Sequence, residues 1–225
     1  MKLFIFALVI VAASVFAVDA DLGNRHAEGN GMVSIDGLVY SQTYDYAELI
    51  NGYSNYGAGD RWVCDDFELS GPEYYFDYIY VWMIWTGGMG STMNFVFSED
   101  NGDSDPNTST DVWGEAVPCT NEFTGDTNWG YDIYKTTCNI NETDTWPELE
   151  IGTHYWFETQ ADVTDNCFIL VGTWGVLSYT WYNDGSGVWV RSDIMFGEGT
   201  DMFFDFYYSW NVLESSTWAD IKTLF

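Results

Sequence analysis

Basic residues are the scarcest charged groups in this chain: six Lys and Arg stand against 35 Asp and Glu, for a formal charge of −29. A surface that acidic repels a phosphate backbone, which excludes nucleic acid as a partner and disfavours anionic membrane. Histidine is nearly missing too, with His26 and His154 alone. Neither has a neighbour set that suggests zinc or a triad, and no GxSxG context accompanies His154. No CxxC spacing occurs, so a structural zinc site lacks its usual ligand pattern. Helix-forming stretches are few: YAELI at 46–50 and STWADIKTLF at 216–225 have the composition, and both are short. Beyond the N-terminus no apolar run approaches the roughly 20 residues of a membrane helix, so no stable membrane span is expected.

The N-terminus itself reads MKLFIFALVIVAASVFAVDADL, with one Lys, an apolar run from Leu3 to Phe16 and small residues at VFA or VDA. That pattern predicts a secretory signal peptide over residues 1–20, cleaved after Ala17 or Ala20, and a mature protein that is extracellular or at the cell surface. Residues 21–58 read as a flexible, glycine-bearing arm and an early strand, and 59–225 as one domain. In an oxidising compartment Cys64, Cys119, Cys138 and Cys167 predict two disulfides. Cys119 and Cys138 are nearest in sequence, which would leave Cys64 to Cys167, but all three pairings stay open.

What the chain has in abundance is aromatic side chains, 12 Trp, 16 Tyr and 15 Phe. Short aromatic and β-branched runs recur between turn signals: WVCDDFELS, YYFDYIYVWMIWT, STMNFVFSED, HYWFETQAD, CFILVGTWG, SYTWYND, VWVRSDIMFG and DMFFDFYYSW. The fold class this predicts is all-β, a single antiparallel β-sandwich. Between 114 and 152 the chain reads as short strands and turns. In YYFDYIYVWMIWT, Ile79, Val81, Met83 and Trp85 share one face and Tyr78, Tyr80, Trp82 and Ile84 the other. A strand apolar on both faces is covered on both or belongs to a binding or assembly surface.

Asp65 and Asp66 stand side by side in the first strong strand, where repulsion and desolvation both oppose the fold. A bound cation, a catalytic dyad and a strand edge facing water are the three answers left open. Asn101, Asp103 and Asp105 in DNGDSDP place oxygens at alternate positions across a glycine, as loops that wrap calcium do, although the spacing is not that of an EF-hand. Loop aromatics set near acids suit stacking on sugar rings, and Trp129, Trp146, Trp174, Trp181 and Tyr182 are the candidate glycan contacts. Asn107 in NTS and Asn141 in NET fit the N-glycosylation pattern.

The stretches WVCDDFEL, NGDSDP after FVFSED, IGTHYWFETQ and GTWGVLSYTWYNDGSGVWVRSDIMFG, with the Asp-x-x-Phe of SDIMF, resemble a family of secreted bacterial jelly-roll-like β-sandwich domains over Gly59 to Phe206. Members are similar to non-catalytic surface, adhesin and carbohydrate-binding modules. The resemblance implies a structural Ca²⁺ near strand ends, with Asp66 and Asp193 as ligands. The expected function is therefore a non-catalytic, cation-stabilised adhesion or carbohydrate-binding protein whose partner is an extracellular glycan. The alternatives are a subunit that binds other copies of the same chain through its arm, forming a filament or matrix, and a secreted glycoside hydrolase using two of the many acids.

Overall fold

The computed structural model describes residues 34–42, 44–70, 75–173, 179–197 and 199–211. The expected leader, the arm before Ser34, His26, Trp174 and the STWADIKTLF segment lie outside the described residues.

The chain runs through β1 (Ser34–Gln42), β2 (Leu49–Ser54), β3 (Trp62–Glu68), β4 (Tyr78–Trp85), β5 (Thr92–Glu99), β6 (Thr110–Asn128) and β7 (Tyr131–Asn139). It continues through β8 (His154–Ala161), β9 (Cys167–Gly172), β10 (Trp181–Asn183), β11 (Val190–Arg191), the one-turn helix α1 (Ser192–Phe196), β12 (Asp201–Met202) and β13 (Phe204–Asn211). Every strand pair is antiparallel, in the order β1-β13-β4-β7-β6-β5-β8-β3-β10-β11, and β9 joins β4, β12 and β2. β6 belongs to both layers of this curled sandwich. Its first half pairs β5 as far as Pro118 opposite Thr92, and from Cys119 it pairs β7. Proline cannot donate to a ladder, so a change of partner is a position where it does no harm.

Between the layers the apolar faces meet as aromatic rings. Phe67 of β3 packs edge-on to Phe206 of β13 at 4.9 Å, and Phe157 of β8 lies 4.9 Å from Phe204. Ile79, Val81, Met83 and Trp85 face this core, as their alternation predicts. The other face of β4 is covered by the chain itself: Trp82 and Ile84 pack with Ile133, Leu170 and Phe203 in a second cluster, and Tyr44 stacks on Trp82 at 5.8 Å. That covering removes the doubly apolar strand as an argument for self-assembly.

Several expectations are corrected. The segment around 114–139, expected as short strands and turns, is one long hairpin, because Pro118 falls at the partner change and Gly125, at φ 96°, falls inside a register shift between Phe123 and Thr127. YAELI is a turn leading into β2, and the helix forms instead over SDIMF, part of an expected strand, where Gly197 at φ 80° ends it. β1 and β2, expected in the arm region, lie in the sheet beside β13 and β9.

The four cysteines are thiols. Cys64 leaves β3 on the outer face, opposite Trp181 and Glu158, whereas Cys167 faces the interior and its Sγ donates to the Asn55 carbonyl at 2.6 Å, so a sheet separates them. Cys119 and Cys138, by contrast, are direct cross-strand partners, a placement whose Cα separation of about 4.5–5.5 Å suits a disulfide. Hydrogen bonding from Cys138 lowers the Cys119 thiol, while burial raises Cys138 and pushes Cys167 up to about 12. Treatment with oxidised glutathione is expected to join Cys119 to Cys138 alone, the thiols losing two protons and two electrons as the glutathione disulfide is reduced. Peptide mapping checks this, and a Cys64–Cys167 bond would refute it. The closed loop should add about 3 kcal/mol to stability.

Candidate functional site

Asp65 and Asp66 occupy a regular stretch of β3, so their side chains leave on opposite faces, and both are buried. The strand-edge answer is overturned. Asp65 enters the interior, where Thr180 Oγ1 donates to it at 3.3 Å, the Met202 N–H donates to it, and the Gln42 amide, in the orientation that satisfies both its ends, donates from its nitrogen at 3.2 Å. Burial raises its carboxyl well above the ordinary carboxylate range, and the charges of Asp201 and Asp66 add to the effect.

Asp66 leaves on the outer face and meets His154 Nε2 at 2.6 Å. The other ring nitrogen, Nδ1, lies 3.1 Å from Asp100 Oδ2, and Trp156 Nε1 donates to Asp100 Oδ1 at 3.3 Å. The hydrogen bond to Asp66 raises the His154 pKa, with Asp100 acting in the same direction. With both nitrogens committed to carboxylates, the imidazole is placed to tie the 100–109 loop to β8. The loop is tied again at Asn107, whose carbonyl oxygen accepts from the Trp189 N–H at 2.8 Å and whose amide donates to the Trp189 carbonyl at 3.1 Å. Asn141, the other sequon asparagine, is exposed in the turn Ile140–Glu142.

The calcium candidates are placed apart. Asp193 is held by Arg191 through two bonds of 2.6 and 2.9 Å on α1, and Asp66 serves His154 on β3. Asn101, Asp103 and Asp105 each accept a backbone N–H two residues ahead, a ladder of side-chain turns that shapes the loop. Among the described residues no group of three or more His, Cys, Asp or Glu side chains is arranged to hold a metal ion.

The candidate binding site lies along β2. Two adjoining hollows of about 300 and 380 Å³ share Asn51, Gly52 and Phe168, and form one groove. Trp129 and Tyr131 wall the first, which Ile84 floors. Tyr53, Tyr182, Phe196, Arg61 and Asp184 surround the second. Gly52 keeps the middle open: a Cβ there would come within 3.1 Å of the Phe168 Cβ. In the second hollow Phe196 stacks on Tyr53 at 4.6 Å, and Arg61 Nη1 donates to the Tyr182 hydroxyl at 3.0 Å.

Trp129 is the unusual residue. It follows Asn128 at the tip of the β6–β7 hairpin, in a two-residue turn with Gly130, and the two have φ of 50° and 82°. Both signs are those of a type I′ turn, where asparagine and glycine are usual and a bulky side chain is strained. Its indole is 52% exposed. A large apolar side chain thus stands in solvent, on a strained backbone, at the lip of a groove.

The other aromatic candidates do different work. Trp146 is half-buried, stacked on Tyr75 at 4.9 Å, and Trp181 is half-buried edge-on to the fully buried Trp156 at 6.0 Å. Tyr182 lines the groove with its ring largely in the core. Phe168, Phe196 and Gly52 escape a reading by composition because strands distant in sequence bring them together.

No protein-family model matches the chain, and neither does any curated protein. Among solved structures it is similar to that of the cysteine protease and lectin-like domains of Cwp84, a surface layer associated protein of Clostridium difficile, at 10% identity and a TM-score of 0.43. The match covers 77% of this chain and 35% of that one. A likeness so remote concerns the chain path alone and gives no ground for a function.

Proposed function

We propose that this chain is a non-catalytic extracellular carbohydrate-binding protein of the adhesive kind, and that the groove along β2 is its binding site. The observation that carries the proposal is Trp129, exposed and strained at the lip of a groove that also offers Tyr131 and Phe196. Strain of this sort persists where surrounding structure imposes it, and it concentrates at functional sites. Flat apolar rings beside polar groups suit the two faces of a sugar, one of C–H groups and one of hydroxyls. A glycosidase needs two carboxyl groups across the bond it cleaves, and among the residues lining the groove Asp184 is the one acid. Calcium is no part of the proposal, since Asp66 and Asp193 already serve His154 and Arg191.

Replacing Trp129 by asparagine is the test, because asparagine tolerates the left-handed backbone. The variant should lose retention on a glycan array while melting at or slightly above the wild-type temperature. Unchanged retention would refute the site. Trp181→Ala, by contrast, should lower the melting temperature, since that ring packs on Trp156.

A further inference from the structure

The groove has two aromatic ends, which sets the kind of sugar it can take. Resting on the carbohydrate reading above, we infer that the ligand is an uncharged linear oligosaccharide that fills both hollows at once, with one ring against Trp129 and another against Phe196. Both side chains are exposed, at 52% and 42% of their surface. Each lines one hollow and not the other, and the hollows meet at Asn51, Gly52 and Phe168, so a ligand that engages both rings must cross that junction.

Charge repels a polyanion and gives a polycation little to hold inside the groove. Polyanions such as uronate or sulfated chains meet a molecule of charge −29. A polycation meets one acid in the groove lining, Asp184, whose carboxyl is held low by hydrogen bonds from Ser186 and, less, by the charge of Arg61. The groove is therefore locally neutral. Its hydrogen-bonding capacity is of both kinds, as hydroxyl groups require. Arg61, whose Nη1 donates to the Tyr182 hydroxyl, carries the donors, and the Asp184 carboxylate carries acceptors. β2 pairs with β9 along one edge, and on the other the Gly52 N–H is taken by Asn51 Oδ1 at 2.8 Å.

The test is calorimetric titration of the full chain with neutral linear gluco-, manno- and xylo-oligosaccharides, from monosaccharide to hexasaccharide, with polyuronate and chitosan oligomers as charged arms. Affinity should rise at least tenfold from the monosaccharide to the longer members of one neutral series and then level. Phe196→Ala should abolish the rise while leaving monosaccharide affinity in place. Phe196→Leu, which keeps an apolar contact on Tyr53, should fold as wild type and also flatten the rise. Length-independent binding, equal or tighter binding of a charged arm, or Phe196 variants that keep the rise would overturn the inference, and loss of binding in Trp129→Asn would still leave the carbohydrate reading standing. If no sugar binds, or an extended peptide occupies the β2 edge instead, both fail.

Discussion

From about pH 5.5 to about pH 8.5 the urea midpoint of this protein is expected to fall, at constant ionic strength, because buried groups take up protons on folding. Asp65 is one of them, since burial raises its carboxyl well above the ordinary range, and Glu158 is another. It projects from β8 on the outer face, opposite Cys64 and Val96, and burial, with Asp111 nearby, raises its pKa from 4.5 to about 7 against the opposing bond to Ser98. The Ser98 hydroxyl lies 3.0 Å from Glu158 and 2.9 Å from Asp111, and its single proton serves one of them. A proton on Glu158 relieves the conflict.

The native state therefore holds that proton between about pH 4.5 and pH 7 while the unfolded chain does not, and stability falls as pH rises through the window, by about 3 kcal/mol at most. His154 acts with the same sign. Its pKa is raised in the fold, chiefly by the bond to Asp66, so its contribution is whole below the ordinary histidine range and is lost as pH rises through the raised value. Asp100 acts oppositely: burial works against its charge, but the bonds from His154 and Trp156 hold its pKa low, so its contribution fails only as pH falls below the ordinary carboxylate range. Glu158→Gln isolates the Glu158 contribution. It should raise the midpoint most near pH 8.5 and by less than half as much in free energy near pH 5.5, where only part of the contribution has been lost; a wild-type midpoint that climbs with pH would refute the assignment.

The strands that carry the core were legible where alternation is strong, as in β4, whose two faces both prove to be packed. The acid pair was not, because what holds Asp66 is His154, 88 residues away, and no local pattern announces a partner at that distance. Breakers misled in the middle of the chain. Pro118 and Gly125 look like interruptions, yet one sits where β6 changes partner and the other inside a bulge. The groove was legible at one point, Trp129, a loop aromatic set near acids. Gly52 and Phe168 were invisible: a glycine in an edge strand and a phenylalanine in an apolar run acquire meaning only when β2 and β9 pair. The one-turn helix over SDIMF was likewise set by its surroundings, because five residues cannot form a stable helix alone.

Phe206→Ala is expected to be the most damaging single substitution in the core, with a loss of about 3–5 kcal/mol read from the urea midpoint at unchanged m-value. Phe206 is fully buried and stacks on Phe76 at 4.4 Å with an interplanar angle of 8°. It also packs edge-on to Phe67, Phe157 and Phe97 at 4.9, 5.3 and 5.7 Å, so one ring on β13 touches three strands of the facing layer. Removing it forfeits contacts on both sides of the sandwich, and neighbouring rings, held by one another, collapse into the gap only partly. Since a domain is stable by about 5–15 kcal/mol in total, the variant should sit close to unfolding at room temperature. Phe206→Leu keeps much of the volume and should lose clearly less. Trp129→Asn removes a larger ring from the surface and should lose nothing. That contrast separates the two uses of aromatic side chains here, one buried for cohesion and one exposed for contact; a Phe206→Ala loss below about 1 kcal/mol would mean the layers do not meet at this ring.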